Sequence, residues 1–184
     1  MPPTEQLKEE HQGIQLMLTI LDKVCLKLES KEKVDLEHLE QILEFIRIFA
    51  DKCHHGKEED LLFPEMEKSG IPKEGGPIGV MLLEHNKGRE YVKGMSEAIA
   101  KYKGNEPDAS PKFVENARNY IALLSQHINK ENDVLFPMAE RVLSHKQKEE
   151  LLRGFEGLEQ ERIGIGKHEE FHKLLHHLKE VYLK

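Results

Sequence analysis

Apolar residues recur along the chain at alternating intervals of three and four, the period of a helix with one buried face. The first such stripe is Leu7, His11, Ile14, Leu18, Leu21, Cys25 and Leu28, with Thr4 placed to cap its start and an end expected near Ser30. Asp35 can cap a second helix whose face runs Leu39, Ile42, Leu43, Ile46, Phe49, Ala50 and Cys53 and then passes into His54 and Glu58. Pro64 lacks an amide and crowds the carbonyl of Asp60, which predicts a kink or a stop. Residues 69–77, rich in Gly and Pro, form a loop. A third stripe follows through Ile78, Met81, His85, Gly88, Val92, Met95, Ile99 and Tyr102. After a second loop, Ser110 and Pro111 suit a cap and first helical position for a fourth, through Phe113, Ala117, Tyr120, Leu124, His127, Glu131, Val134 and Met138.

These four helices read as two similar hairpins. His11 and His85, each preceded by Glu, stand on the first helix of each hairpin, and His54 and His127 on the second. Two such hairpins packed together predict an all-α, up-down four-helix bundle over residues 1–145. The remaining residues, 146–184, predict one or two extra C-terminal helices acting as a lid or buttress: Ser144 caps a stripe of Leu151, Leu152, Phe155 and Leu158, the Gly164-Ile165-Gly166 stretch interrupts it, and Phe171, Leu174, Leu175, Leu178 and Tyr182 resume it. His168 lies on that last stripe and can supply a ligand or close the site, whereas His172, His176 and His177 read as a polar face.

The chemistry is written in a repeat. His54-His55-Gly56-Lys57-Glu58-Glu59-Asp60-Leu61-Leu62-Phe63-Pro64 and His127-Ile128-Asn129-Lys130-Glu131-Asn132-Asp133-Val134-Leu135-Phe136-Pro137 share the pattern His-x-x-Lys-Glu-x-Asp-x-Leu-Phe-Pro. A His and a Glu four residues apart on a helix sit one turn apart on the same face, so each copy aims an imidazole and a carboxylate at one point. A single histidine on an apolar stripe is more often a hydrogen-bonded core residue than a ligand. Here, however, His11, His54, His85 and His127 converge with Glu58 and Glu131, and carboxylates buried together are costly without a cation between them. The set can serve one metal with ligands to spare, or two metals bridged by the carboxylates; the paired hairpins favour two. Nitrogen and oxygen donors without cysteine suit iron or manganese better than structural zinc, and leave positions for an oxo or hydroxo bridge and a small ligand.

Composition narrows the alternatives. A net charge of -7 with 33% charged residues describes an acidic chain with no basic patch, which argues against nucleic acid. No apolar run approaches a membrane span and the start of the chain does not read as a signal peptide, so the expected compartment is the cytoplasm. Cys25 and Cys53 are too few for a disulfide framework and read as buried free thiols.

The inward His11, the two His-x-x-x-Glu motifs with Leu62-Phe63-Pro64 and Leu135-Phe136-Pro137, and Gly76-Pro77-Ile78-Gly79-Val80-Met81 leading to Glu84-His85 resemble the hemerythrin-like HHE cation-binding family over about residues 5–142. The resemblance implies a non-heme di-iron centre with an oxo-type bridge and carboxylate bridges, and places its ligands on His11, His54, Glu58, His85, His127 and Glu131. Oxygen-carrying hemerythrins have a fifth histidine where this chain has Arg89; His55 or His168 can compensate. The functional expectation is binding of, or reaction with, dioxygen, nitric oxide or peroxide by two bridged iron ions, with manganese or zinc as other occupants. Iron storage, delivery or iron-centre repair is the alternative, followed by a metal-stabilised interaction module using the C-terminal helices.

Overall fold

The computed structural model describes all residues, 1–184, and contains helices and no strand. Helix α1 is Pro3–Glu29. Helix α2 runs without a break over residues 36–68, α3 is Pro77–Lys103, and α4 runs over residues 109–142. Helices α5, His145–Arg162, and α6, Lys167–Tyr182, complete the chain. The first four form an up-down bundle in which α1 packs on α4, α4 on α3, and α3 on α2. Helix α5 lies across α1 and α2, and α6 beside it contacts the same two helices. No helix is long and apolar enough to cross a membrane.

Capping chemistry explains most boundaries. Asp35 accepts the amide of Glu37, and Ser144 with Gln147 forms a reciprocal capping box at the start of α5. Helix α2 ends with Gly70 at φ 101°, the amide of Ile71 reaching the carbonyl of Met66 and that of Gly70 reaching Glu67. Two starts differ from expectation. Pro3 already supplies a helical φ, so α1 begins ahead of Thr4, whose hydroxyl instead donates to Glu140 at 2.6 Å. Helix α4 starts at Ala109, which puts Ser110 inside the first turn.

Pro64 neither stops nor ends α2. From Ile46 to His55 and from Glu58 to Leu62 the backbone bonds run from residue i to i−5, and the same widening occurs at Glu131–Leu135 in α4. In each repeat the wide turn lies immediately before Phe-Pro, so the proline ring is spared the carbonyl it would strike in a tight turn. The extra residue per turn also rotates the next part of the helix about its axis. Val134, expected inward three residues after Glu131, is 51% exposed, while Leu135 and Phe136 are buried.

The apolar core is split in two. One cluster, including Ile14, Leu21, Phe45, Phe49, Met95, Phe113 and Leu124, fills one part of the bundle and takes in Phe171 and Leu175 of α6. The other joins Leu7, Leu62, Phe63, Ile78, Met81 and Phe136 with Leu151 and Phe155 of α5. On every bundle helix the inward polar residues stand between the stretches that feed the two clusters, so a polar layer crosses the bundle there.

Candidate metal centre

Residues from all four bundle helices meet in this layer. His55, Glu58, His85 and His127 form one group of donor atoms within 4.8 Å of one another, and His11, His54, Glu58 and Glu131 form a second. All are buried. Glu58 belongs to both groups. Glu131 also spans them, with Oε2 at 3.0 Å from His11 Nε2 and Oε1 at 3.0 Å from His127 Nε2. The structure thus brings together His11, His54, Glu58, His85, His127 and Glu131, and adds His55.

His168 is placed elsewhere. It stands in α6, grouped with Cys53 of α2 and Glu159 of α5, and its ring packs against Phe49 at 5.1 Å. His55 enters because the wide turns of α2 broaden its inward face: it is 5% exposed and its ring stacks on His85 with centroids 3.8 Å apart. The equivalent position in the second repeat is Ile128, so the repeat itself carries no signal for this residue.

Each histidine is oriented by a bond at Nδ1, leaving Nε2 turned to the interior. His54 and His127 donate to Glu10 and Glu84, both at 2.9 Å. His85 donates to Glu59 at 2.6 Å, His11 to Asn132 at 2.7 Å, and His55 to Asp51 at 3.3 Å. An imidazole so held presents a fixed tautomer and a more basic second nitrogen, as a ligand should. The partners obey the repeat: the Glu preceding each histidine of α1 and α3 serves the motif histidine of its own hairpin, while Glu59 and Asn132, at one motif position, serve the opposite hairpin.

A further ring of cations holds these partners. Lys57, wholly buried, donates to Glu10 and to Glu159 of α5. Lys130, in the same motif position, donates to Glu84 at 2.6 Å but lies half-exposed. Arg89 bonds both Asp51 and Glu59, tying together the partners of His55 and His85. Arg89 therefore supports two histidines where the resemblance placed one.

The electrostatics call for a cation at the centre. Burial raises the Glu10 and Asp51 carboxyls, but the bonds and charges of His54 and Lys57, and of His55 and Arg89, outweigh it and bring both to about 2. At the centre, burial and the charge of Glu131 push Glu58 well above the carboxylate range. Burial lowers His127, yet Glu131 and Glu84 outweigh it and raise it to about 9. Burial takes His54 down to about 4. His54 Nε2, both oxygens of Glu58 and Glu131 Oε1 are buried without a hydrogen-bond partner. Four orphaned donor atoms in one place are costly unless a cation satisfies them, and imidazole and carboxylate are the donors that iron and manganese accept. The residues fit a metal centre.

The centre has an approach. A cleft of about 450 Å³ between α2 and α3 is lined by His55, His85, Arg89, Arg47, Tyr120 and Val92 among others. The two cysteines are buried and free, and burial pushes both thiols up to about 12, so neither is a ready nucleophile.

The family profile described as hemerythrin HHE cation binding domain matches residues 3–139. An uncharacterized protein of Mycobacterium tuberculosis is 24% identical over 160 residues, covering 87% of this chain and 62% of the relative; a Mycobacterium bovis protein matches equally. The iron-sulfur cluster repair protein YtfE of Salmonella typhimurium is 31% identical over 144 residues, covering 65% of this chain and 64% of the relative. The chain thus spans about three fifths of the length of these relatives. Family and site chemistry agree that this is a metal-binding protein.

Proposed function

Because the chain belongs to the hemerythrin HHE cation-binding domain family, we propose that its buried cluster holds two iron ions and that the loaded centre binds or reacts with a small ligand such as dioxygen, nitric oxide or peroxide. The observation that carries this reading is the set of unpartnered donor atoms at His54, Glu58 and Glu131, shared between two overlapping groups of ligands. On this reading His11 and His54 would hold one ion, His55, His85 and His127 the other, and Glu58 and Glu131, which stand in reach of both groups, would contribute to each. Bound iron supplies redox equivalents and open coordination positions. The protein supplies the rest: Nδ1 partners fix the rings, the two apolar clusters exclude water, and the cleft beside His55 and His85 admits a ligand to the three-histidine side.

The test is metal content with a visible spectrum on iron-loaded protein, before and after adding each ligand. Two irons per chain and bands that shift with nitric oxide or peroxide are expected; a loaded protein whose spectrum ignores all three ligands refutes the reading. A second reading, delivery of iron to damaged iron-sulfur centres, draws support from the similarity to YtfE, named as a repair protein for such clusters. It requires iron that passes to an apo acceptor at a useful rate, and iron that stays put through a chase with acceptor rules it out.

A further inference from the structure

A third group of donors lies outside the central layer. Cys53 of α2, Glu159 of α5 and His168 of α6 bring one ligand atom each to within 4.8 Å of the others. We propose that these three side chains form a separate mononuclear site for a zinc-class divalent cation, which fastens both C-terminal helices to the bundle beside the central cluster.

Three observations support it. First, His168 Nε2 is buried and has no hydrogen-bond partner; its nearest carboxylate oxygen, Glu159 Oε1, stands 3.5 Å away. Second, every polar contact of Glu159 uses Oε1, which already receives Lys57 and Gln6, so Oε2 is available to a metal. Third, the charges balance. Lys57 and Glu10 neutralise one another, leaving the Glu159 carboxylate in excess beside a thiol. A divalent ion with Glu159 and a Cys53 thiolate makes the whole group neutral.

Thiolate, imidazole and carboxylate together form a donor set of the kind that zinc takes, and tetrahedral zinc ligands stand roughly 3.3–3.6 Å apart, so the observed cluster needs to contract by about 1.5 Å at most. Water can supply the fourth ligand, since the His168 side chain is one third exposed. On binding, the Sγ–H bond of Cys53 breaks, its proton leaves to solvent, and the sulfur electron pair bonds the metal.

No donor of the central cluster carries sulfur, which makes the test selective and independent of the central reading. Cobalt(II) is titrated anaerobically into the metal-free full chain, which should develop a near-ultraviolet sulfur-to-cobalt charge-transfer band. Cys53→Ser and His168→Gln should each bind one equivalent less than the wild type and lack or shift that band, while keeping the visible bands of cobalt in the central site. His168 is partly exposed, so its variant guards against a folding defect in Cys53→Ser. A wild-type protein that fills with cobalt and never shows the band, or a band that survives unchanged in Cys53→Ser, overturns the proposal.

Discussion

Replacing Glu10 with glutamine tests whether the buried carboxylate behind His54 builds the metal centre. Glu10 is 6% exposed; Oε1 accepts His54 Nδ1 at 2.9 Å and Oε2 accepts the ammonium of Lys57, itself wholly buried. Two donors thus converge on one carboxylate. Glutamine has a single acceptor oxygen, so its NH2 must face either the imidazole N–H or the ammonium. Loss of an outer partner of a ligating histidine typically costs ten- to a hundredfold in metal affinity, about 1.4–2.7 kcal/mol. Breaking a buried ion pair costs about 3–5 kcal/mol, and the low end applies here because Glu159 still faces Lys57. For a chain of this size that is a drop in apo-protein Tm of about 6–12 °C. Glu84→Gln is the control: it carries the same bond to His127, but Lys130 is half-exposed, so the metal effect should match while apo stability changes by no more than about 1 kcal/mol. The pH dependence has a definite sign. The Glu10 carboxyl is held at about 2, below its ordinary 4.5, so its stabilisation is complete above about pH 5 and fades as pH falls toward 2. The apo stability gap between wild type and Glu10→Gln should therefore shrink over that window. Chelator competition and urea denaturation measure the two quantities, and a Glu10→Gln protein with wild-type affinity and wild-type apo stability refutes the reasoning.

Metal loading at pH 7 should release protons, because His127 is raised to about 9 without metal and must give up its proton to ligate; no release in weakly buffered calorimetry or indicator titration would remove His127 from the ligand set. The same linkage makes affinity rise with pH up to about 9, by up to tenfold per unit for each proton displaced. His55→Ala should weaken binding at the central cluster by at least tenfold, whereas His168→Ala should leave that cluster's affinity within about twofold; equal effects would contradict the separation of the two groups. Arg89→Ala should lower central affinity by less than about tenfold, since Asp51 and Glu59 keep their bonds to His55 and His85 after it is gone, and a larger loss in chelator competition would mean that those bonds depend on it.

The bundle and the convergence of six donors were legible because His-x-x-x-Glu is a spacing of four, which stays on one face through both repeats. The stripes of α1 and α3 are regular α-helix and kept their register. What escaped lies in α2 and α4, where the turns widen. A period of 3.6 puts Val134 inside and leaves His55 undecided, whereas bonding to i−5 turns Val134 to solvent and His55 to the core. A signal for the later widening is present, since Leu-Phe-Pro ends it in both copies, but a proline alone reads as a kink or a stop, and the wide turns that bring His55 inward have no counterpart in the second copy. The outer partners were half visible. Glutamate before His11 and before His85 stood out in sequence, but its role required knowing which hairpin it faces, a long-range fact.

The repeat makes the centre nearly two-fold, and its departures from that symmetry locate what is particular to this chain. Glu10 and Glu84 match, as do Glu59 and Asn132, so His11 and His54 have counterparts in His85 and His127 with equivalent partners. His55 stands opposite Ile128 and Asp51 opposite Leu124, which gives one end of the centre a third imidazole, its supporting carboxylate and the Arg89 clamp. That end is also where the cleft opens. At the other end, Lys57 is buried where Lys130 is half-exposed, because α5 packs on α1 and α2 and brings Glu159 onto it. The His11 and His54 side is thereby tied to the C-terminal helices, and the cleft opens on the side that carries three histidines. A symmetric pair of ions held in this frame would meet asymmetric surroundings, so exogenous ligands should bind at the His55, His85 and His127 side, and ligand-induced spectral change should be lost in a variant that narrows the cleft at its half-buried lining, such as Val92→Phe, while iron content is retained.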